Sequence, residues 1–493
     1  MEQNTPENLL PIEELNKRMK TFAINYFLVD VHRDRESYYA AFPEFFDRTL
    51  QNNSPFQPKY NFTEERFLCL GGAILNLIMD GELEKSWEII DSIPTSGHYL
   101  FLRIGLILVH PKVTWKQFID NINYLKKLGF SIANVLVTAG RPSVLNGFND
   151  FSRIGPFLQR NRDLFLEDLA CLYEKSICPA IYNQCLCEWL YQQNKLMDAE
   201  VILSRTIKEF NRDGENRLLF AAHFLQTKIF IAQGKSVHLD SFIKNMRLAV
   251  KELGHQEFSY NLNATEALCA LYEGDTKKII SWFENDAPDE YSDFCMLDNW
   301  RYLVKIRFYI VVQNYSAAIA LIEKIRPLLE EGKRHMDLCE LDLLNAIALY
   351  RADKKNIAFK ALFRSLKIAK RRHFYRIIAD EGDAILPILN SYIKEKGMEP
   401  FGQDFFVEIV ECARNISITY PLYLKPIKNQ MQLTNIEIEI LHFLERGKTT
   451  EEIADYFFIS TNTVKFHLKK IYGKLDVKNA TGAIWEARLQ GIL

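Results

Sequence analysis

The sequence predicts an all-α fold, in which a long array of paired helices precedes a small helical module at the C-terminus. In residues 61–417, stretches rich in large apolar and aromatic residues alternate with short polar turns. In residues 431–493, apolar residues recur at helical spacing behind residues that cap helices. The 493 residues are too many for one core, and 48% hydrophobic with 25% charged residues is the composition of a soluble globular protein.

Residues 1–60 predict an aromatic-rich helical cap, with Phe22–Val31 and Tyr38–Leu50 as candidate helices. The segment Met1–Glu14 is acidic and lacks the basic start and apolar core of a secretion signal. The chain has no run of about 18 apolar residues, which a membrane-spanning helix requires. We therefore expect a cytoplasmic protein without a membrane partner.

The helix pairs of residues 61–417 recur at a fixed interval. The turns Gln313–Asn314 and Ala352–Lys354 lie 39 to 40 residues apart, and Ala317 and Ala358 occupy equivalent places 41 residues apart. This period is typical of an alpha-solenoid resembling tetratricopeptide repeats, in which neighbouring pairs stack because no pair buries its own apolar face. The candidate pairs are Ala180–Gln193 with Met197–Phe210, Leu218–Gln233 with Leu239–Leu253, Tyr260–Glu273 with Thr276–Phe283, Asn299–Val312 with Tyr315–Glu331, and Met336–Arg351 with Asn356–Lys370.

The segment Val135–Gly155 interrupts the helical pattern. Its glycines and proline end helices and predict a defined loop. Inserted loops of solenoids often gather on the binding face, so Arg141, Asp150 and Arg153 are candidate ligand contacts. The sequence leaves open the alternative of a structural loop in which these side chains pair or face water.

The sequence offers no site for catalysis, a metal or a cofactor. The nine cysteines are odd in number and scattered, and Cys185 and Cys187 lack two further soft ligands at a defined spacing. We therefore expect reduced, buried thiols. The histidines at positions 110, 223, 238 and 255 are isolated on helical patterns without a nucleophile or a Gly-rich loop, so we expect a protein that is not an enzyme.

The stretch 461–475 combines an apolar stripe with a basic face. On a helix, four apolar residues fall at i, i+4, i+7 and i+11. This pattern is typical of a helix that packs on its own domain with one side and faces the phosphate backbone of a nucleic acid with the other. The apolar residues are Val464, Leu468, Ile471 and Leu475, the outward-facing residues are Lys465, Phe466, Lys469 and Lys470, and a fourth lysine is Lys474.

Two capping boxes precede this stretch. Thr434–Glu437 opens a helix that Gly447 ends, and Thr449–Glu452 opens a second, short helix. A tight turn at 458–460 leads into the basic helix, and Ala454 is small enough for two helices to cross closely. The second and third helices therefore predict a helix-turn-helix.

Residues 431–493 resemble the LuxR-type DNA-binding domain. The matching residues are Leu433, Thr434, Glu437, Leu441, Gly447, Glu452–Ala454, Ile459, Ser460, Thr463–Lys465, His467, Ile471, Tyr472, Lys474, Leu475 and Val477. Ile436 and Ala480 replace usual arginines, and Thr450–Glu451 replaces the common Asn-Lys pair. These changes remove positive charge from a module with eight Lys+Arg and eight Asp+Glu, so we expect modest affinity for DNA.

The resemblance implies that the helix 461–475 lies in the major groove of double-stranded promoter DNA, with RNA polymerase as a further partner. One module reads few base pairs, so we expect a homodimer on DNA, with the last helix, Ala480–Leu489, as its dimer face. The predicted base-reading residues are Lys465, Phe466 and Lys469, the predicted phosphate contacts are Thr449, Thr450, Thr461, Thr463, Lys470 and Lys474, and the predicted dimer contacts are Trp485 and Arg488.

The stretch Asn299–Gly382 resembles the superhelical sensor domain of MalT-type regulators, most clearly in Leu341–Ala346 and Arg376–Gly382. In that family a LuxR-type module follows such a solenoid. The loop Gly-x-x-x-x-Gly-Lys-Ser/Thr occurs nowhere in the sequence, so we expect no nucleotide-binding domain in this chain. Residues 418–430 are predicted to form an extended linker to the module at 431–493.

Together these features predict a transcription regulator, whose solenoid binds a small molecule, peptide or protein and controls promoter binding by the helix-turn-helix. The alternative is an interaction scaffold or anti-activator, which binds another regulator and not DNA. The neutral charge of residues 431–493 and the replaced arginines favour this alternative.

Overall fold

The structure is a computed structural model of the chain. It describes residues 10–17, 31, 33–43, 64–95, 97–128, 180–213, 216–235, 239–253, 256–290, 294–426, 433, 435–457, 459–475, 477–489 and 493. Regular secondary structure within these residues is helical throughout, which confirms the predicted all-α fold. The described residues divide into two compact units, whose main parts are the chain up to Lys425 and the chain from Pro426 to Leu493.

The helices of the N-terminal part are α1 (Arg35–Ala41), α2 (Glu64–Met79), α3 (Leu83–Ser92), α4 (Gly97–Val109) and α5 (Trp115–Lys127). The helices from residue 180 to residue 419 are α6 (Ile181–Gln192), α7 (Leu196–Asp213), α8 (Asn216–Ala232), α9 (Leu239–Leu253), α10 (Gln256–Glu273), α11 (Thr276–Asn285), α12 (Asn299–Val311), α13 (Tyr315–Glu331), α14 (His335–Arg351), α15 (Lys355–Arg372), α16 (Tyr375–Ala379), α17 (Leu386–Lys396) and α18 (Gln403–Thr419). The C-terminal helices are α19 (Asn435–Glu445), α20 (Thr450–Phe457), α21 (Thr461–Lys474) and α22 (Ala480–Leu489).

The five predicted helix pairs are present as α6–α7, α8–α9, α10–α11, α12–α13 and α14–α15, and the two helices pack against each other in α6–α7, α8–α9, α10–α11 and α14–α15. The first helix of each pair ends in a residue with a left-handed backbone. The amide of the following residue donates to the carbonyl five positions earlier, a bond that satisfies a helix-end carbonyl. The left-handed residues are Asn194, Gly234, Gly274, Gln313 and Asp353, which recur every 39 or 40 residues.

The predicted equivalence of Ala317 and Ala358 is off by one residue. Ala318 is the fully buried alanine of α13 and lies 40 residues before Ala358, which is fully buried on α15, whereas Ala317 is half-buried. A one-residue shift on a helix rotates a side chain by roughly 100°. Ala318 is therefore the residue of α13 that faces the core, as Ala358 does on α15.

Some predicted features lie outside the described residues. These are most of the predicted N-terminal cap, including Phe22–Val31 except Val31, and the whole loop Val135–Gly155 with Arg141, Asp150 and Arg153. Cys185 and Cys187 are described, and both are buried on α6. Burial raises the pKa of the Cys187 thiol to about 12, which disfavours the thiolate that binds metals. Within the described part of the chain, no helix has both the length and the apolar character needed to cross a bilayer.

The acidic pair Asp380–Glu381 contacts polar side chains from the first helices of four pairs, α6, α8, α10 and α12. Asp380 contacts Lys228 Nζ at 2.8 Å and Arg376 Nη2 at 2.5 Å, and it accepts a hydrogen bond from the Tyr191 hydroxyl. Burial opposes the ionisation of Asp380, but Arg376 and Lys228 outweigh burial and lower its pKa. Asp380 is therefore a buried, charged carboxylate.

Glu381 binds Arg307, which also contacts Glu340 with 2.7 Å between Nη2 and Oε1. Burial lowers the pKa of Arg307, but Glu381 and the neighbouring acidic groups raise it well above its ordinary value. The guanidinium is therefore permanently charged, and its partners come from α14 and from the segment after α16. These contacts and the hydrogen bond from the Tyr272 hydroxyl to the Asp380 carbonyl tie α6, α8, α10 and α12 to one pair of adjacent residues, and Arg307 links α14 to them through Glu340.

The segment Tyr420–Lys425, called the terminal segment below, is packed and not extended as predicted for the linker. The Tyr423 ring stacks on Tyr272 with 4.1 Å between centroids. The Tyr423 hydroxyl accepts from Arg307 Nε at 3.1 Å and donates to Glu381 Oε2 at 2.9 Å. Arg351 Nη1 donates to the Leu424 carbonyl at 2.8 Å. The prolines of residues 418–430 favoured an extended linker. The segment is packed because two buried aromatic rings and these hydrogen bonds hold it against the solenoid.

We expect Tyr423→Phe to lower the free energy of unfolding of the solenoid by about 1–3 kcal/mol, because Arg307 and Glu381 each lose a buried hydrogen-bond partner. Urea unfolding followed by circular dichroism measures this change. The matched control is Tyr392→Phe, which removes a hydroxyl without a hydrogen-bond partner among the described residues from another buried tyrosine. Equal losses in the two variants would show that the hydroxyl bonds of Tyr423 do not stabilise the fold.

Candidate nucleic-acid interface

The C-terminal module is built on one apolar core to which α19, α20, α21 and α22 all contribute. Ala454, on α20, is buried as predicted, and the small side chain allows α20 and α21 to pack closely. The core residues are Leu433, Ile440, Leu441, Ile453, Ala454, Val464, Leu468, Ile471, Leu475, Ala483 and Ala487. This core fixes the orientation of α21 within the module, so its outer face is defined.

Local signals place the ends of these helices. Gly447 has φ of +73° and ends α19, as predicted. Thr449 and Glu452 form the predicted capping box: the Thr449 amide donates to Glu452 Oε2 at 2.8 Å, and the Glu452 amide donates to Thr449 Oγ1 at 3.3 Å. Ser460 Oγ accepts from the Thr463 amide at 3.1 Å and caps α21. Capping hydrogen bonds therefore fix the starts of both α20 and α21.

Helix α21 has the two faces that the sequence predicts. Val464, Leu468 and Ile471 are buried, whereas Lys465, Phe466, Lys469 and Lys470 are exposed. The Lys470 ammonium lies over the Phe466 ring, 4.6 Å from its centroid, so the aromatic ring and one cation form a unit on the exposed face. These four residues present three charges and an apolar surface to the outside of the module.

Lys474 differs from the other lysines of α21. Its Nζ lies 2.6 Å from Glu437 Oε2 on α19, and the two side chains are 9% and 3% exposed. Its ammonium is therefore inside the module and does not belong to the exposed basic face. The sequence reasoning assigned Glu437 to a capping box with Thr434, which lies outside the described residues, and so missed this pair.

Glu451 places a negative charge beside the predicted phosphate contacts. The Thr450 hydroxyl donates to Glu451 Oε2 at 3.2 Å. Hydrogen bonds from its own backbone amide and from Thr450 and Thr449 lower the pKa of Glu451, and the charge of Lys465 lowers it further. The hydroxyl proton of Thr450 is thus directed at a carboxylate. Thr463 Oγ1 lies 2.8 Å from Ser460 Oγ, and Thr461 is half-buried at the start of α21.

His467 lies on α21 between the buried and exposed faces, and sequence reasoning gave it no role. Its Nδ1 is buried without a hydrogen-bond partner among the described residues. Burial lowers the pKa of His467, Glu437 raises it, and Lys470 and Lys474 lower it. The net shift is downward, so His467 is neutral at pH 7 and adds no charge to the basic face.

The last helix, α22, has a buried face and an exposed face. Ala483 and Ala487 are buried, and Trp485 is 66% exposed. Arg488 reaches back to α19, where its Nη2 lies 2.7 Å from Glu445 Oε1. Trp485 therefore offers a large apolar surface to solvent, whereas the guanidinium of Arg488 already has a carboxylate partner on the surface of the module.

Comparisons with known proteins agree with this architecture. Residues 177–395 match the family model described as MalT-like TPR region, and residues 431–487 match the model described as bacterial regulatory proteins, luxR family. The chain joins a MalT-like TPR region to a LuxR-family domain. This confirms both resemblances seen in the sequence.

Curated relatives of the chain are named HTH-type transcriptional regulator MalT. They include the proteins of Yersinia pestis (strain Pestoides F), Yersinia pseudotuberculosis serotype O:1b (strain IP 31758) and Serratia proteamaculans (strain 568). Each is 21% identical over 250 residues, which is 48% of this chain and 27% of the relative. The match therefore spans little more than a quarter of the length of these relatives.

We expect Lys474→Met to destabilise the LuxR-family domain by about 3–5 kcal/mol, because the buried Glu437 carboxylate loses its ammonium partner. Thermal unfolding of the full chain, monitored by hydrogen exchange of the amides in residues 435–489, measures this loss of stability. Lys470→Met, on the exposed face of the same helix, is the matched control and is expected to change stability by less than about 0.5 kcal/mol.

The double variant Glu437→Leu with Lys474→Met removes both charges of this pair. It is expected to recover most of the stability, since two apolar side chains leave no buried charge unpaired. A double variant that is as unstable as Lys474→Met alone would contradict a charge-pair origin of the effect.

Proposed function

We propose that the chain is a DNA-binding transcription regulator, in which α21 of the LuxR-family domain enters the major groove. The observation that supports this most directly is the outer face of α21. Three lysines and Phe466 are exposed there, while the opposite face of the helix is fixed in the module core. A rigid helix with a basic outer face is the element that reads base edges in helix-turn-helix proteins.

Within this proposal, Lys465 and Lys469 donate to guanine O6 and N7, and Phe466 contacts a thymine methyl group. Lys470, held over Phe466, and the hydroxyls of Thr449, Thr461 and Thr463 contact phosphates. Lys474 is better assigned to positioning α21 through Glu437 than to phosphate binding. Thr450 is a weak phosphate ligand, because Glu451 accepts its hydroxyl proton and repels a phosphate.

The solenoid is the regulatory part of the proposed regulator. Its terminal segment is bound to Tyr272, Arg307 and Glu381 and is followed directly by the LuxR-family domain. An effector that changes these contacts changes the path of the chain into the DNA-binding domain. Allosteric control requires such a difference between the contacts of two states. The proposed partners are promoter DNA, RNA polymerase and a small-molecule, peptide or protein effector.

The DNA-binding proposal predicts that Lys465→Ala with Lys469→Ala lowers affinity for a cognate promoter fragment by roughly 30-fold or more and flattens sequence preference, because two base-reading donors are lost. Lys470→Ala is the comparison on the same helix. We expect it to weaken binding to all sequences equally and to reduce the slope of log K against log salt by about 1. Fluorescence anisotropy at several salt concentrations measures both quantities.

Unchanged affinity in the Lys465 and Lys469 double variant, with the domain folded, would rule out α21 as the reading element. The alternative function, an interaction scaffold or anti-activator, is favoured by the charge of Glu451 beside Lys465 and by the neutral domain. It requires that the unaltered chain show no salt-dependent binding to any genomic fragment.

We further propose that Trp485 forms the centre of a homodimer face, because exposed tryptophan is enriched at interface hot spots. In Trp485→Ala, we expect two modules to bind two half-sites independently and not as a dimer. Sedimentation of the chain on DNA with one half-site and with two half-sites measures this change. Thr481→Ala, exposed on the same helix, is the control. A dimer that persists on two-site DNA in Trp485→Ala would place the dimer face elsewhere.

A further inference from the structure

Helix α15, the second helix of the pair α14–α15, carries a basic face of the same kind as α21. It contains seven lysine and arginine residues and no aspartate or glutamate, whereas α21 contains four lysines. The second helices of the other four pairs, α7, α9, α11 and α13, each include acidic residues. No part of the function proposed above uses the cations of α15.

The exposed cations of α15 follow one side of the helix. Lys360, Arg364, Lys367 and Arg371 are exposed and lie at i, i+4, i+7 and i+11, and we call them the basic stripe. At 1.5 Å per residue, the stripe is about 16 Å long. The opposite side of α15 is packed in the solenoid, which fixes the direction of the stripe. Its buried apolar residues are Ala358, Phe359, Ala361, Leu362, Leu366 and Ala369.

Two lysines of the basic stripe have ammonium groups available for a ligand. Lys360 and Lys367 form no ion pair or hydrogen bond with the residues that the structure describes. Arg364 lies between them on the helix, with its Nη2 2.7 Å from Asp342 Oδ1, and Arg326 of α13 contacts the same carboxylate at 2.8 Å. One carboxylate therefore serves two guanidiniums, and the Arg364 side chain remains 49% exposed.

The helices beside α15 bring carboxylates close to the stripe without neutralising it. Glu323 and Glu330 of α13 lie within 4 Å of the arginine of their own helix. Glu399 and Asp404, at the start of α18, are exposed and form no ion pair with α15. The charged residues of α13, α15 and α17, taken with Asp342, Glu399 and Asp404, are eleven cations and seven carboxylates. This surface is therefore positive, although the whole chain has a net charge of −2.

From these observations we infer that the basic stripe binds the phosphate backbone of DNA on either side of the site bound by α21. A duplex carries one negative charge per about 1.7 Å, so a length of about 16 Å offers about nine phosphates. A membrane surface fits less well, because an interfacial helix inserts its apolar face and that of α15 is buried.

The LuxR-family domain of the same chain gives DNA an advantage over an acidic protein as the partner of the stripe. DNA held by that domain is present at a high effective concentration for a second contact made by the same chain. The inference therefore rests on the proposed DNA binding by α21, and it adds a second, sequence-independent contact to that function.

The experiment measures binding of the full chain to two duplexes that share one bound site, recovered from genomic fragments. The short duplex contains the site alone, about 20 base pairs, and the long duplex adds about two helical turns on each side. We expect the slope of log K against log salt to be steeper on the long duplex by about 2, since each further phosphate contact adds about 0.9. Fluorescence anisotropy at several salt concentrations measures the slopes.

Lys360→Gln with Lys367→Gln is the test variant, because it removes two charges and leaves no carboxylate without its partner. We expect it to remove most of the difference in slope between the duplexes and to lower affinity for the long duplex roughly tenfold at about 0.15 M salt. Binding to the short duplex is expected to stay unchanged. The matched control is Lys244→Gln with Lys251→Gln, which removes two exposed lysines with the same spacing from α9.

An unchanged slope on the long duplex in the test variant, or an equal loss in the α9 control, would overturn the inference. If the test variant instead loses binding to polyglutamate or to phosphatidylserine vesicles while its DNA binding is unchanged, the stripe serves an acidic protein or a membrane. A chain that binds both duplexes with equal salt slopes contradicts this inference alone. A chain that binds neither duplex contradicts the proposed function as well.

Discussion

The solenoid is organised around the buried charges of Asp380 and Glu381. Removing two carboxylates from water costs several kcal/mol each unless cations and donors replace the solvent. The chain supplies Lys228 and the neighbouring Arg376 for Asp380, and Arg307 for Glu381. Because each pairing is satisfied in one arrangement only, the acidic pair selects one stacking of the helices among those that apolar burial alone would allow.

The same interaction explains why the terminal segment belongs to the solenoid. Tyr423 completes the hydrogen bonding of both Arg307 and Glu381, and its ring covers Tyr272. Burial and the Glu381 charge hold the pKa of Tyr423 well above its ordinary value, so its hydroxyl remains a donor at any physiological pH. The segment is therefore held by a protonated Tyr423 hydroxyl and a charged Arg307 guanidinium at any physiological pH.

Sequence reasoning predicted the local features well, because they depend on nearby residues. The helix pairs follow from helical periodicity, and the Thr449 box and the Gly447 terminus follow from capping chemistry. The repeat interval was harder to see because Asn194, Gln313 and Asp353 occupy the left-handed position that Gly234 and Gly274 also fill. Spacing alone misjudged the register of Ala317, since adjacent alanines differ only in the direction they face.

What the sequence could not show are pairings between distant residues. Tyr191 and Asp380 are separated by 189 positions, and Lys474 and Glu437 by 37. A lysine near the end of a basic helix looks like another phosphate contact until its neighbour on another helix is known. The useful signal was present nonetheless: Lys228, Arg307 and Glu340 lie in helices with many buried apolar residues, and a charge that such a helix buries implies a partner.

The packing of the terminal segment bears on how the chain can be divided and recombined. The family match of the solenoid ends at residue 395, and that of the LuxR-family domain begins at residue 431. Helix α18 and Tyr423 lie between these limits, although they complete the solenoid. A fusion that exchanged the C-terminal domain at residue 395 would leave Arg307 and Glu381 without Tyr423, whereas a junction after Lys425 would transfer an intact solenoid to a new output domain.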